Sequence, residues 1–251
     1  MKKLDWDYTN LAKAYVNRPD YSDAAIDAIL AIAKPDADAP VLDLGAGAAH
    51  LTLKLAERGL NVTALEPNDD MRGQGTARTA HYPDLDWIDG MMENTGLRAG
   101  HYAMTTYGSS FSVVDRGETL DESARLLCPG GWFVALFNHR DLDDPLQAEI
   151  ETLIKDATTG YAYGPRREDQ TPHIDASGHF GPVHRLECPI HHDVPKQTWL
   201  DAWRSHATLQ RQAGARFEEI CAAIDARVAQ EPGDSLRIPY VTRVWMAQRT
   251  R

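Results

Sequence analysis

Residues 41–68, VLDLGAGAAHLTLKLAERGLNVTALEPN, constrain the fold more than any other part of the chain. An apolar run from Val41 to Leu44 breaks at Gly45 and Gly47. A helical stretch over about residues 49–58 follows, Gly59 closes it, and residues 61–66 read as a second strand. Two strands joined by a helix of this length are expected to lie parallel, the helix serving as the crossover. The two glycines let the backbone turn tightly and approach a ligand closely. Glu66 comes 21 residues after Gly45, at a strand end expected to be exposed. A carboxylate there can accept hydrogen bonds from both hydroxyls of a ribose.

The alternation continues on either side. An apolar face of Tyr21, Ala25, Ile26, Ile29, Leu30 and Ile32 predicts a helix over residues 21–33, stopped at Lys34-Pro35. A helix begins near Asp69. Short strands are expected at 85–88, 102–107 and 132–137, with a helix over 118–127 between the last two. Strands and helices alternating at this spacing imply an α/β fold around a parallel sheet. After Arg140 the rhythm changes. A helix over 145–157 precedes a glycine-containing loop stretch, 158–181, which carries a charged run at 166–169. An extended segment (183–194), two helices (196–209 and 215–230) and a long final strand (235–249) complete the chain. A helical pair between two late strands is a natural lid, because insertions at the carboxyl edge of such a sheet carry specificity. No repeat or low-complexity tract interrupts this pattern.

The ligand at the turn can be narrowed. A dinucleotide-binding turn wants a third glycine at position 50, which is His50, and no Gly-Lys-Ser or Gly-Lys-Thr follows for a P-loop. Asp43 at the strand end would repel a pyrophosphate and suits a cation. S-adenosylmethionine joins a ribose to a sulfonium and an ammonium, and so meets both requirements. The chain has 26 Lys plus Arg against 37 Asp plus Glu, a formal charge of −11. That field has the wrong sign for general nucleic-acid binding. No apolar window approaches eighteen residues, and MKKLDWDYTN has no apolar stretch behind its lysines, so neither a membrane span nor a secretory leader is expected. Cys128, Cys188 and Cys221 are widely spaced and form no CxxC pair, which suggests reduced thiols and a cytoplasmic setting.

Several segments together resemble the class I S-adenosylmethionine-dependent methyltransferases, in the small-molecule group that includes the ubiquinone/menaquinone-type enzymes. DLGAGAAHLTLKLAERGLNVTALEPNDDM (43–71) is similar to the first two motifs of that family. GMMENTGL (90–97) resembles the segment bordering the adenine, and ARLLCPGGWFVALFN (124–138) the proline-glycine-glycine turn and fifth strand. YTNLAKAYVNRPDY (8–21) is similar to the helix that closes over the cofactor. The resemblance implies a Rossmann-like, seven-stranded, mostly parallel α/β sandwich with a helical lid insertion near the C-terminus. One domain over 1–251 would divide into cofactor-covering helices (1–34), a cofactor-binding core (35–140), substrate-side helices and lid (141–234) and a final strand (235–251).

The same resemblance implies a set of cofactor-binding residues. Asp43, Gly45, Ala46 and Gly47 would face the methionine end, with Gly108 and Ser109. Glu66 would hold the ribose. Pro67 and Met71 would line one side of the adenine, and Met91, Met92 and Glu93 the other. Tyr15 and Arg18 are candidates for the cofactor's carboxylate. Three places depart from the family pattern: Ala48-Ala49 in the glycine-rich turn, His101-Tyr102 at the start of the fourth strand, and Ser112-Val113 after it. The last weakens any analogy on the substrate side.

Seven of the ten histidines follow Asn138. No HxxxH or Cys–His spacing favours a metal, and the adjacent His191 and His192 would point to opposite faces of a strand. His139, His206 and His191 are candidates for a general base toward the acceptor, although methyl transfer can proceed on approach geometry alone. Trp199 and Trp203, four apart, share a helix face and with Phe217 and Tyr240 would form an aromatic wall. Methyl transfer to a small molecule on N, O or C is the expected activity, by a monomer or homodimer without nucleic-acid or membrane partners. A nucleoside-cofactor protein acting by binding or by a non-methyl reaction is the alternative.

Overall fold

The computed structural model describes residues 15–204 and 206–250. Positions 8–14 of the segment expected to cover a cofactor, and the opening residues considered as a leader, lie outside the described residues. β1 (Pro40–Leu44) is buried from Val41 onward, as a strand covered on both faces must be. β2 (Asn61–Leu65) and β4 (Tyr102–Gly108) flank it in parallel, β3 (Asp86–Ile88) pairs with β2, and β5 (Leu127–Arg140) pairs with β4. β7 (Ser235–Gln248) runs antiparallel to both β5 and β6 (His184–Pro195). The order β3-β2-β1-β4-β5-β7-β6 is the seven-stranded, mostly parallel Rossmann-like sheet that the resemblance implied.

Strand alternation sorts the core into two layers. On one side Trp132, Val134 and Leu136 of β5 pack with Val41, Met104 and Val244 against Ile26 and Ile29 of α1 (Asp23–Ala33) and Leu51 and Leu55 of α2 (His50–Ala56). On the other, Phe133, Ala135 and Phe137 join Leu42, Leu44, Leu65, Tyr107 and Phe111 beneath Leu120 and Leu126 of α4 (Arg116–Leu126). α3 (Asp69–Arg78) follows β2, its N-terminus capped by the Asn68 side chain. Asp43 shares the α1 and α2 side with Val41, two residues away.

A third apolar cluster belongs to the late helices. α5 (Pro145–Ala157), α7 (Lys196–Arg204), α8 (Ala207–Ala213) and α9 (Phe217–Val228) bury Ile150, Ile154, Trp199, Trp203, Leu209, Ile220 and Ile224 together with Val194, Leu236 and Ile238 from the strands. β5 ends at Arg140, opposite Tyr240, whereas β6 and β7 stay paired back to Pro195 and Ser235. The two strands therefore overhang the carboxyl edge of β5, and the helices stand on that overhang.

Three boundaries differ from expectation for identifiable reasons. β5 runs through the proline-glycine-glycine turn, absorbed by a register shift against Tyr102 and Met104. The helix expected over 196–209 ends at Arg204, because His206 accepts the Leu209 amide hydrogen at Nδ1 (3.2 Å) and starts α8 as its N-cap. The 158–181 stretch contains a 3-10 turn (Gly164–Arg167) and α6 (Thr171–Ser177), whose one buried apolar residue, Ile174, is too little to make a periodic signal. Among the described residues no helix is long and apolar enough to cross a membrane.

The third cluster generates a stability prediction. Ile224 is fully buried within it, so Ile224→Ala is expected to cost about 2–5 kcal/mol. In hydrogen exchange the loss of protection should concentrate in α5 and α9, leaving β1 and β4 protected.

Candidate active site

The turn after β1 is built from backbone conformations that few side chains tolerate. Gly45, Gly47 and Ala49 have φ of 68°, 56° and 69°. A Cβ on Gly45 would fall 2.5 Å from Cβ of Ser110, whose hydroxyl donates to the Leu44 carbonyl (2.6 Å). The amides of Gly45 and Ala46 both donate to the carbonyl of Leu65 (2.8 and 3.0 Å). Glu66 closes the arrangement: one carboxylate oxygen accepts the Gly47 amide and the other the Asn68 amide, each at 2.9 Å. Glu66 is not at an exposed strand end as expected but 8% exposed, and burial raises its pKa.

Asp43 is fully buried. Hydroxyls of Thr52 (2.7 Å) and Thr106 (3.0 Å) donate to its carboxylate. Burial outweighs those hydrogen bonds, and with the charge of Glu66 adding to it the pKa is pushed up to about 6. Ser109, with φ of 64°, places its hydroxyl 2.9 Å from the Tyr21 hydroxyl at the end of β4.

A cavity of about 1180 Å³, part of it open to solvent, runs along this edge. Asp43, Gly45, Ala46, Gly47, Gly108 and Ser109 line one end, and Tyr15 and Arg18 close over it. Glu66, Pro67, Met71, Met91, Met92 and Glu93 lie outside the lining. Met71 and Met92 are buried against the turn, their side chains close to where a Cβ on Gly47 or Gly45 would stand, while Met91 is exposed. His50, considered at first only as a missing glycine, also faces the cavity. Its ring lies between the carboxylate of Asp20 (2.8 Å) and the carbonyl of Tyr15 (3.1 Å), tying the chain at Tyr15 to the start of α2. Asn138 does the same from β5, donating to the carbonyls of Pro19 and Asp20 (3.0 and 2.9 Å).

Trp199, Trp203 and Tyr240 line the other end beneath the late helices, while Phe217 belongs to their apolar cluster. Tyr163, Arg166 and Arg167, from the loop stretch where no site residue was expected, join Arg140 there. The adjacent Arg166-Arg167 pair beside Gly164-Pro165 was the available signal, but nothing local says which strand end it reaches. Ser112 and Val113 line a smaller adjoining opening with Arg18 and Arg166.

The three histidine candidates are placed differently from one another. His139 is buried, and its Nε2 donates to the Arg166 carbonyl (2.9 Å), while Nδ1 is sealed and has no partner among the described residues. Burial, with Arg167, Arg166 and Arg243 nearby, pushes its pKa down to about 4. His206 lines the cavity, stacked on Trp203 at 5.5 Å. Because its Nδ1 accepts the Leu209 amide, Nε2 carries the hydrogen. Burial and the guanidiniums of Arg18, Arg166 and Arg140 push its pKa down to about 3. His191 is exposed and outside the lining, and it is His192 that faces the cavity, by strand alternation. Among the described residues no cluster of His, Cys, Asp or Glu is arranged to hold a metal ion.

Comparison with known proteins agrees with this geometry. Residues 42–135 match a family model described as a methyltransferase domain. An uncharacterized methyltransferase of Mycobacterium tuberculosis is 36% identical over 124 residues, 49% of this chain and 48% of the relative. The alignment thus spans about half the length of the curated relatives it matches. A putative type II methyltransferase from Anaeromyxobacter dehalogenans has the same fold, with a TM-score of 0.66 and 20% identity over 92% of this chain and 97% of that one. The YcgJ protein from Bacillus subtilis does too, at a TM-score of 0.59 and 13% identity over 92% and 100%. Strand order, glycine-rich turn, strand-end carboxylate and sequence match converge: residues 42–135 of this chain carry a methyltransferase domain.

Proposed function

We propose that this chain transfers a methyl group from S-adenosylmethionine to a small molecule held beneath the late helices. The observation that carries this reading is the continuity of one cavity from the Gly45 and Gly47 turn to the aromatic wall of Trp199, Trp203 and Tyr240. A partly enclosed cavity of that kind suits a small acceptor, and the charge of −11 counts against a nucleic acid.

The residues present fit the cofactor. The positive-φ turn leaves no room for side chains where a ligand backs onto it, and Asp43 supplies negative charge to its cationic end. Glu66, with Pro67, Met71, Met91, Met92 and Glu93 around it, would hold the ribose and adenine. Tyr15, Arg18, Gly108 and Ser109 would border the methionine part. When bound, S-adenosylmethionine supplies a methyl group activated by its sulfonium. The chain's own contribution is approach and exclusion. His50 and Asn138 hold residues 15–20 across the opening, keeping water out, while Trp203 and Tyr240 fix the acceptor. A histidine base has no part in this scheme. The Nε2 hydrogen of His139 is taken, His206 presents a donor, and His191 faces away. We assign His139 to holding the Arg166 turn and His206 to capping α8.

Three outcomes test these assignments. Glu66→Ala removes charge-assisted hydrogen bonds to the ribose, so S-adenosylhomocysteine should bind more weakly by about 2–3 kcal/mol. Because Glu66 also braces the turn, the melting temperature should fall as well, with Glu66→Gln recovering part of it. Unchanged affinity by calorimetry would remove the ribose role.

Asp43 ionises near pH 6, and a bound ammonium favours the ionised form. Affinity for S-adenosylhomocysteine should therefore fall as pH drops through about 6, by up to about tenfold per unit, a slope that Asp43→Asn abolishes. Calorimetry between about pH 5 and 8 checks the sign. His206→Ala should cost about 1 kcal/mol of stability through the lost cap, and His206→Asn, which can cap, should restore it. Thermal melts of the two variants decide that.

A further inference from the structure

Arg18, Arg140, Arg166 and Arg167 line the cavity, and among the described residues Asp43 is the one carboxylate in that lining, in a chain whose formal charge is −11. Arg18 belongs to the cofactor end. The other three stand at the acceptor end, and for Arg140 and Arg167 the described acids supply little neutralising charge. Glu151 pairs with Arg140 but also with Lys155 (3.1 Å) and the Tyr163 hydroxyl, so one negative charge serves two cations. Nη1 of Arg140 is buried with no acceptor among the described residues. Arg167 has no carboxylate within ion-pair distance among the described residues. Its guanidinium lies 3.8 Å from the centre of the Tyr163 ring and donates to the Arg140 carbonyl (3.3 Å).

Held together at a buried edge, cations of this kind repel one another and lose hydration. The arrangement is favourable when a ligand brings the missing negative charge, and the planar forks of arginine match carboxylate and phosphate oxygens. Beside them stands the apolar wall. Trp199 and Trp203 are 3% and 5% exposed, and Trp203 carries the Arg140 guanidinium 4.8 Å from its ring centre. One end of the occupant thus meets aromatic faces and the other meets guanidiniums.

We infer that the acceptor is an organic anion, with an apolar or aromatic body against Trp203 and Tyr240 and a carboxylate or phosphate group taken by Arg140 and Arg167. That the occupant is the methyl acceptor rests on the methyl-transfer reading above; that it is an anion rests on the arginines. A neutral analogue is rejected because it brings no charge to Arg140 and Arg167.

The test is calorimetric titration of the full chain, with and without S-adenosylhomocysteine, using matched pairs: benzoate and benzamide, indole-3-acetate and indole-3-acetamide, phenyl phosphate and phenol. At least one anion should bind about tenfold or more tighter than its neutral partner, and Arg167→Gln should remove that preference while S-adenosylhomocysteine affinity stays unchanged. Arg167→Lys, which keeps the charge and loses the fork, should retain part of it, and thermal melts confirm that both variants are folded. The first two pairs against the third distinguish a carboxylate site from a phosphate site. The inference is overturned if no anion is preferred, total absence of binding included, or if the preference survives in Arg167→Gln. Failure of the wild-type chain to bind S-adenosylhomocysteine would overturn the methyl-transfer reading instead, and the titrations without it would still report on the anion.

Discussion

The carboxylate of Glu66 is the tie on which the site hangs. It stands at the end of β2 and accepts one amide hydrogen from the glycine turn and one from the start of α3. Such charged hydrogen bonds contribute roughly 1.5–3 kcal/mol each. They act where the chain holds three consecutive odd positions, Gly45, Gly47 and Ala49, at positive φ, and for the non-glycine Ala49 that conformation costs on the order of 1–3 kcal/mol. The brace therefore offsets strain at the place where strain is needed. Once the turn is set, α2 starts with His50 in position. His50 then reaches Tyr15 and Asp20 and brings the N-terminal segment over the cavity. Turn geometry and closure both descend from one side chain.

Charge and burial act in opposite senses at the two ends of the cavity. At the turn, burial holds Asp43 near the edge of ionisation, so its charge responds to a cation placed beside it. At the end beneath the late helices, burial and guanidiniums together keep His139 and His206 neutral across the physiological range. The cavity thus has a negative pole and a positive pole inside an acidic protein. An anion approaching from solution meets an unfavourable outer field, which salt screens beyond about 8 Å, before it reaches the arginines.

Much of the sheet was legible in the sequence because buried parallel strands are short apolar runs separated by amphipathic helices, as at Val41–Leu44 and Asn61–Leu65. The turn was legible for the same local reason: glycines and an acid at fixed spacing. Asp43, Gly45, Ala46, Gly47, Gly108 and Ser109 line one end of the cavity. What was not legible depends on partners distant in the chain. His50 acts on residues about thirty positions earlier, and Arg166 and Arg167 gain meaning only beside Arg140. The burial of Glu66 follows from the turn folding back onto it. The break after Arg204 depends on the ring of His206 choosing its own backbone, an interaction that apolar periodicity does not register.

The overhang of β6 and β7 beyond Arg140 turns strand length into a ruler for the height of the cavity. Each added pair of facing residues lifts the helical platform by roughly 3.3 Å along the strand direction. Both strands must lengthen together for the pairing to survive. Two residues per strand preserve the inward faces of His192, Ile238 and Tyr240, whereas one inverts them and presents His191 and Pro239 inward. Cavity height in relatives with this fold should therefore change in steps of two residues per strand, while the parallel strands that carry the turn and Glu66 keep their lengths.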